Sequence, residues 1–291
     1  MSPDLDAESL RIALPKGRMQ AEVFALLDAA GLSVRTGSRA YRPTIAAGRF
    51  NAKILKPQNI IEMLVAGSRD VGFAGADWVS ELGVDLVELL DTGLDPVRLV
   101  AAAPEDLLED GRLPARPLRV ATEYPRSAQR WIDAERLDAR IVRSYGATEV
   151  FPPDDADVIV DNTATGATLT ANGLAIVATL ATSSTRLYAN PAALQDASRR
   201  AAIDGLVMLL ASVLDARQRV MFEVNVAADK LEAVCALLPC MREPTIATLH
   251  DAAGFAVKAA VRRDTLPTLV PRIKIAGGTD VVITPISQIV P

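Results

Sequence analysis

The residues best equipped for chemistry lie at positions 157–174, reading DVIVDNTATGATLTANGL, where an apolar strand with an aspartate near its end passes into small hydroxylated residues, a glycine and a helix. That order builds a phosphate cradle, because backbone N–H groups at a helix start lack intrahelical partners and carry partial positive charge. Thr163, Thr165 and Thr168 add hydroxyl donors that can wrap a terminal phosphate. Asp161, at the carboxyl edge of the strand, is placed to accept hydrogen bonds from two ribose hydroxyls. A capped strand-to-helix turn with no ligand has the same composition, so the loop alone leaves that alternative open.

Three further strand ends carry polar groups. Residues 14–18 read LPKGR, where Lys16 and Arg18 flank a glycine that lets the backbone approach a ligand, and two cations there suit a polyphosphate. A solvated basic turn is the plainer reading of the same residues. Residues 53–59 read KILKPQN and bring Lys56 and an amide pair to a strand end and helix start, the face on which α/β sheets bind ligands. Asp77 follows another strand end in Gly75-Ala76-Asp77, a position that a helix N-cap explains equally well.

The absences narrow the chemistry. The chain has one histidine, His250, set beside Asp251 in an expected turn, so histidine-based triads are excluded. No Gly-x-Gly-x-x-Gly follows a strand and no Gly-x-x-x-x-Gly-Lys-Ser/Thr occurs, so any nucleotide must be held without the dinucleotide fingerprint or the P-loop. Cys235 and Cys240 have no further Cys or His at metal-ligand spacing, and they read as two small thiols rather than a zinc site or a disulfide framework.

The elements that must position these groups alternate. From residue 10 to about 177, strand-like runs fall at 10–14, 53–55, 71–74, 86–90, 98–102, 118–121 and 158–160, with helices expected at 20–30 and at 59–66, the latter starting from Asn59 as a cap. Strands alternating with helices predict parallel sheets flanked by helices. Residues 103–117, with their prolines, a glycine and acidic residues, read as a connection between two α/β lobes. A long helix then runs from about 196 to 217. After it come strand 219–226, helix 229–238, strands 245–249 and 255–261, helix 264–276 and strand 281–285, the β-α-β-β-α-β order of the ferredoxin-like motif. No internal repeat stands out.

Bulk properties fit a small-molecule partner. At 291 residues the chain has room for two or three domains, and half its residues are hydrophobic while only 4% are aromatic, which predicts a core of Ala, Val, Leu and Ile. A net charge of -5 predicts no bulk attraction to nucleic acid or to an anionic membrane, so any phosphorylated ligand needs a local basic pocket. The acidic first nine residues lack the basic start and apolar middle of a signal peptide, and the apolar run at 206–214 is too short to span a bilayer, so a cytoplasmic location is expected.

Taken together, RIALPKGRM at 11–19, LKPQNI at 55–60, DVGFAGADWV at 70–79, RVATEYP at 119–125, YGATEVFP at 145–152 and the DNTATGATLTANGL loop resemble the ATP phosphoribosyltransferase family, which opens histidine biosynthesis. The resemblance runs from residue 10 to 291 and is to the long form. It departs at Asn162, Thr163 and Ala164, where many members carry two apolar residues and Glu or Ser.

The resemblance implies a two-lobe catalytic part like a type II periplasmic binding protein and a C-terminal ferredoxin-like regulatory domain. Lobe I would take residues 1–102 and 185–217, lobe II 103–184 and the regulatory domain 218–291. It implies ATP and phosphoribosyl pyrophosphate as substrates, Mg²⁺ held mainly by the pyrophosphate, histidine as inhibitor, and a homohexamer in exchange with dimers. Asp161, Lys16 and Arg18 would be catalytic, Asp161, Thr163, Ala164, Thr165, Gly166, Ala167 and Thr168 would hold phosphoribosyl pyrophosphate, and Lys56, Asp77, Tyr124 and Glu149 are cleft candidates for ATP. Asn225, Met241, Thr245 and Asp280 fall at the effector positions, with Asn225 standing where a carboxylate occurs in a close family pattern and Asp280 where a small residue does. Two rival readings stay open: a solute-binding module on the same architecture, and a catalytically silent regulatory paralogue.

Overall fold

The computed structural model describes residues 9–37, 41–239 and 243–290. The chain divides into two compact units, residues 1–205 and 206–291. The first contains β1 (Leu10–Pro15), α1 (Gln20–Ala29), β2 (Val34–Arg35), β3 (Thr44–Ile45), β4 (Phe50–Leu55), α2 (Pro57–Val65), β5 (Val71–Gly75), α3 (Ala76–Leu82) and β6 (Val87–Pro104). It continues through β7 (Leu118–Thr122), α4 (Pro125–Glu135), β8 (Ala139–Arg143), β9 (Val158–Thr163), α5 (Ala167–Ala171) and β10 (Leu174–Ala189).

One eight-stranded sheet runs through this unit in the order β4-β1-β5-β10-β6-β9-β7-β8. At one end β4, β1 and β5 are parallel, at the other β9, β7 and β8 are parallel, and the long antiparallel pair β10 and β6 joins the two halves. This is the two-lobe, type II periplasmic-binding-protein-like arrangement of the resemblance. Strands covered on both faces read as continuous apolar runs, and β5 accordingly has every residue buried. Helix α2 packs Ile60, Ile61 and Leu64 onto that half, each contributing roughly 1.5–3 kcal/mol by burial. Close approach there depends on Gly72 of β5, because a Cβ at that position would stand 2.6 Å from the Ile60 side chain; Gly72→Ala is the single change that most directly pushes the helix off the strand.

Several boundaries differ from the sequence reading. Helix α2 starts at Pro57 with Lys56 as its N-cap residue, so Asn59 lies inside the first turn and is not the cap. Pro at the first helical position sets φ and sacrifices no intrahelical bond. The separate strands expected at 86–90 and 98–102 are one strand, β6, which passes through Gly93 and Asp95 in left-handed conformations opposite register shifts in β10. Strand β10 itself, with β8 and α4, was not expected, and α3 has Gly75 at its N-cap with Asp77 inside the first turn rather than capping it.

Helix α6 (Ala197–Arg217) runs across the division at Gly205 into the second unit. That unit contains β11 (Arg219–Val226), α7 (Leu231–Cys235), β12 (Thr245–Thr248), β13 (Phe255–Arg262), α8 (Leu266–Ile275) and β14 (Thr279–Pro285). Its sheet order β12-β13-β11-β14, with β11 antiparallel to both neighbours, is ferredoxin-like. Strict alternation places Val220, Phe222, Val224 and Val226 in the core of this unit, where Phe222 and Val234 are fully buried. Helix α7 is shorter than the expected 229–238, its first turn being a 3-10 turn at Ala228–Lys230.

Candidate active site

The polar groups singled out by spacing sit at the carboxyl ends of parallel strands. Lys16 and Arg18 follow β1, Lys56 and Pro57 follow β4, and Asp77 follows β5, so one edge of the first half collects the ends of all three strands. In the second half, Tyr124 follows β7, Glu149 follows β8, and Asp161 to Gly166 occupy the end of β9 and its turn into α5.

A cavity of about 120 Å³ brings part of this set together: Lys16 and Arg18, Pro57, Asp77 with Trp78, Asp95, Asn162 and Ser183 line it. It therefore joins both halves of the sheet, with β10 contributing Ser183. Lys16 donates to the Tyr41 hydroxyl at 2.9 Å and stands over the same ring at 4.9 Å, while Arg18 donates to the Asp95 carbonyl at 3.2 Å. Both cations are solvent-exposed. Lys56 and Asp161 do not line the cavity, although their chain neighbours Pro57 and Asn162 do.

Asp161 is the perturbed acid of the site. Burial pushes its carboxyl up to about 6; the charges of Glu123 and Glu149 add to the rise, against hydrogen bonds from the Asn162 N–H and Thr148. The charge of Glu149 is thus felt at Asp161. Among the described residues no three His, Cys, Asp or Glu side chains converge at metal-ligand spacing. The Asp161 and Glu149 carboxylates are nonetheless the donor set that suits Mg²⁺, which keeps most of its waters and takes one or two carboxylates plus substrate phosphate oxygens.

The loop after β9 shapes itself. Gly166 caps α5 in the left-handed region at φ 85°, and its N–H donates to the buried Thr163 hydroxyl at 2.9 Å. The Ala167 N–H bonds Thr165 Oγ1 at 3.3 Å, and Ala164, Thr165, Ala167 and Thr168 are exposed. Thr163 therefore sets the turn, while Thr165 and Thr168 lie on its exposed side.

Tyr124 is fully buried, its ring 4.4 Å from that of Trp78. Its hydroxyl donates to Asp77 Oδ2 at 2.8 Å and accepts from Asn162 Nδ2 at 2.6 Å. Asp77 Oδ1 accepts from Ser183 Oγ at 2.8 Å, and the Asp77 N–H returns a bond to that oxygen at 3.0 Å. Burial and the Asp77 charge keep the Tyr124 phenol protonated far above its ordinary range, the Asn162 bond opposing them. One turn along α3, Glu81 accepts from the N–H groups of Arg126 and Ser127 at 2.7 and 2.9 Å. Helix α4 begins at Tyr124, which offers no capping side chain, so a carboxylate from α3 satisfies its free amides instead. Asn162, Ser183, Asp95 and Glu81 were missed by sequence reasoning.

The positions to which the resemblance assigns an effector lie in the second unit. Asn225 Nδ2 donates to Asp280 Oδ2 at 3.1 Å, and Thr245 opens the exposed strand β12. Met241 lies outside the described residues.

Residues 56–212 match the family model described as ATP phosphoribosyltransferase, and residues 216–288 match the model of the HisG C-terminal domain. The ATP phosphoribosyltransferase of Gemmatimonas aurantiaca is 39% identical, with 97% of this chain and 100% of the relative covered. That of Pelotomaculum thermopropionicum is 34% identical over 97% of this chain and 99% of its own length. The solved ATP phosphoribosyl transferase (HisG:HisZ) complex from Thermotoga maritima contains a chain that superposes with a TM-score of 0.62 at 27% identity, covering 71% of this chain and 98% of that one. With both family models matched in order along it and near full-length coverage by its relatives, this chain belongs to the ATP phosphoribosyltransferase family.

Proposed function

We propose that the chain catalyses attack of the adenine N1 nitrogen of ATP on the anomeric carbon of phosphoribosyl pyrophosphate, giving N1-(5-phosphoribosyl)-ATP and committing flux to histidine. The N1 lone pair forms the new bond as the bond from the anomeric carbon to the pyrophosphate oxygen breaks, and pyrophosphate leaves with that electron pair. The nucleophile carries no proton to remove, which suits a site without histidine. The chemistry asks instead for alignment of two anions, stabilisation of developing positive charge on the sugar and neutralisation of the leaving group.

One observation carries this reading: a single cavity is lined by Lys16 and Arg18 from one half of the sheet and by Asn162, the neighbour of Asp161, from the other. Lys16, Arg18 and Lys56 would hold the pyrophosphate and the ATP phosphates. Asp161 would take the ribose diol, and Thr165, Gly166, Ala167 and Thr168 the 5-phosphate, in the turn that Thr163 shapes. Asp161 and Glu149 would hold Mg²⁺ together with pyrophosphate oxygens, and the ion would supply charge neutralisation for the leaving group.

The ferredoxin-like unit would bind histidine and convey feedback inhibition within a homohexamer of a cytoplasmic enzyme. Incubating the full chain with ATP, phosphoribosyl pyrophosphate and Mg²⁺ tests the reaction: mass spectrometry should find the adduct and an equimolar release of pyrophosphate. Absence of adduct from folded protein would leave a silent paralogue as the better reading.

A further inference from the structure

We propose that Tyr124 and Asn162 are positioning residues for phosphoribosyl transfer, the hydrogen-bonded series Asn162–Tyr124–Asp77–Ser183 fixing the spacing between the Asp161 end of β9 and the α3 end of β5, the strand that pairs with β1. The inference rests on the reaction proposed above and assigns these side chains a role apart from ligand contact.

The series crosses the site without a break. Asn162 stands on β9 beside Asp161, Tyr124 at the start of α4, Asp77 in the first turn of α3, and Ser183 on β10. Three of the four line the cavity between the cations and β9, and the fourth, Tyr124, lies behind them with no exposed surface. Every link is short: 2.6 Å from Asn162 to the phenol oxygen, 2.8 Å from the phenol to Asp77, and 2.8 Å from Ser183 to the other carboxylate oxygen.

Direct ligand contact does not suit Tyr124. Its hydroxyl hydrogen is spent on Asp77, its oxygen already accepts from Asn162, and its ring is stacked on Trp78. What these groups control is distance. The Asp77 carboxylate is held from two sides, so α3 cannot move relative to β9 or β10 without breaking a bond in a water-poor environment, where each unmade bond is costly. A second tie runs in parallel, since Glu81 of the same helix holds the first turn of α4. In a reaction governed by alignment of two bound anions, a displacement of about 1 Å costs on the order of a hundredfold in rate.

The test uses the full chain with Mg²⁺, ATP and phosphoribosyl pyrophosphate, and compares Tyr124→Phe, Asn162→Leu and the double variant after circular dichroism has established folding. Tyr124→Phe removes one oxygen and keeps the buried ring, so it remains informative if Asn162→Leu fails to fold. The expected result is a drop of about tenfold in kcat for each single variant, with both KM values within about threefold of the parent, and a double variant no worse than the poorer single one, as for residues that act through one chain of bonds. Parental kcat in both single variants, losses that multiply in the double variant, or an effect confined to the KM of one substrate would each overturn the assignment. A parent protein that forms no adduct refutes the proposed reaction itself, a result distinct from an active parent whose variants match it.

Discussion

Asp157 accepts the Arg119 backbone N–H at 2.8 Å and its guanidinium Nε at 3.3 Å, repeating in the second half of the sheet the clasp that Asp70 makes with Arg11 in the first. The registers correspond as well, with Ile12 beside Val71 and Val120 beside Val158 in parallel pairs. Each half thus opens on Leu-Arg, and each returns through Asp-Val, so that the carboxylate closes the amino end of the strand pair. These clasps sit at the opposite ends of the strands from Lys16, Asp77 and Asp161, which assigns them to stability and leaves the chemistry to the carboxyl ends.

The two clasps are unequal, and their removal should show it. Asp70 is fully buried and also faces Arg199 at 3.5 Å, whereas Asp157 retains 11% side-chain exposure and Arg116 and Arg119 are partly solvated. Asp70→Ala leaves two guanidinium groups and a strand amide without their acceptor, and should cost about 3 kcal/mol. Asp157→Ala should cost about 1–2 kcal/mol, since water takes over part of its role. Urea unfolding of both variants measures the difference; equal losses would remove burial as the cause.

That repeat was invisible in the sequence because it is carried by a few residues, Leu10-Arg11 and Leu118-Arg119 with Asp70 and Asp157, spread over long separations. Strands β1, β5 and β9 were legible because burial on both faces demands unbroken apolar runs. Strand β10 was not: its Thr, Ser and Ala residues show no period of two, and repeated register shifts against β6 explain why none was needed. At the site, spacing located the cations and the Asp161 loop, since strand ends and helix starts leave local signatures. Asn162, Ser183 and Glu81 act through partners far along the chain, and such pairings have no local signature to read.

Asp161 should give the activity an acid limb. Its carboxyl, raised from an ordinary 3.8 to about 6, must ionise to hold the ribose diol and the developing cation, so kcat/KM should fall as pH drops through about 6. Glu123→Gln removes one of the two charges that add to the rise and should move the limb to lower pH. Stability runs the other way. Between the ordinary and the raised value the native state binds more protons than the unfolded chain, so unfolding free energy decreases as pH rises across that window, by roughly 2–3 kcal/mol in all. Asp161→Asn should therefore be inactive yet more stable than the parent at pH 7.5, and no more stable near pH 4. A variant less stable at both pH values would contradict the assignment.

The loop after β9 should discriminate between the two substrates. A Cβ on Gly166 would meet only the Ile176 side chain, at 3.8 Å, so space is available and the penalty comes from the left-handed backbone at φ 85°. Gly166→Ala should cost about 1–2 kcal/mol of local strain and Gly166→Val more. Together with Thr165→Val, which deletes the hydroxyl of an exposed loop residue, these changes should raise the KM for phosphoribosyl pyrophosphate about tenfold and that for ATP less than threefold. Equal effects on both substrates would make the loop a structural turn.

The ferredoxin-like unit should bind free histidine through its open sheet face. Asn225 and Asp280 meet at the register shift between β11 and β14, where Asp280 takes φ 47°, a conformation that aspartate tolerates better than most residues and glycine better still. The Thr279 hydroxyl steadies the same carboxylate at 3.1 Å. A carboxylate and a side-chain amide held together in this way can take an amino group and an imidazole nitrogen, which are complementary to them. Calorimetry on the full chain should show saturable histidine binding, accompanied by inhibition of adduct formation. Asn225→Ala should weaken it about tenfold. Asp280→Gly separates strain from recognition: it should raise the unfolding free energy by up to about 1 kcal/mol, since the left-handed residue becomes glycine, while histidine affinity falls with the lost charge. Histidine bound equally well by Asp280→Gly would exclude the carboxylate from recognition, and no binding by active, full-length protein would exclude histidine as the effector.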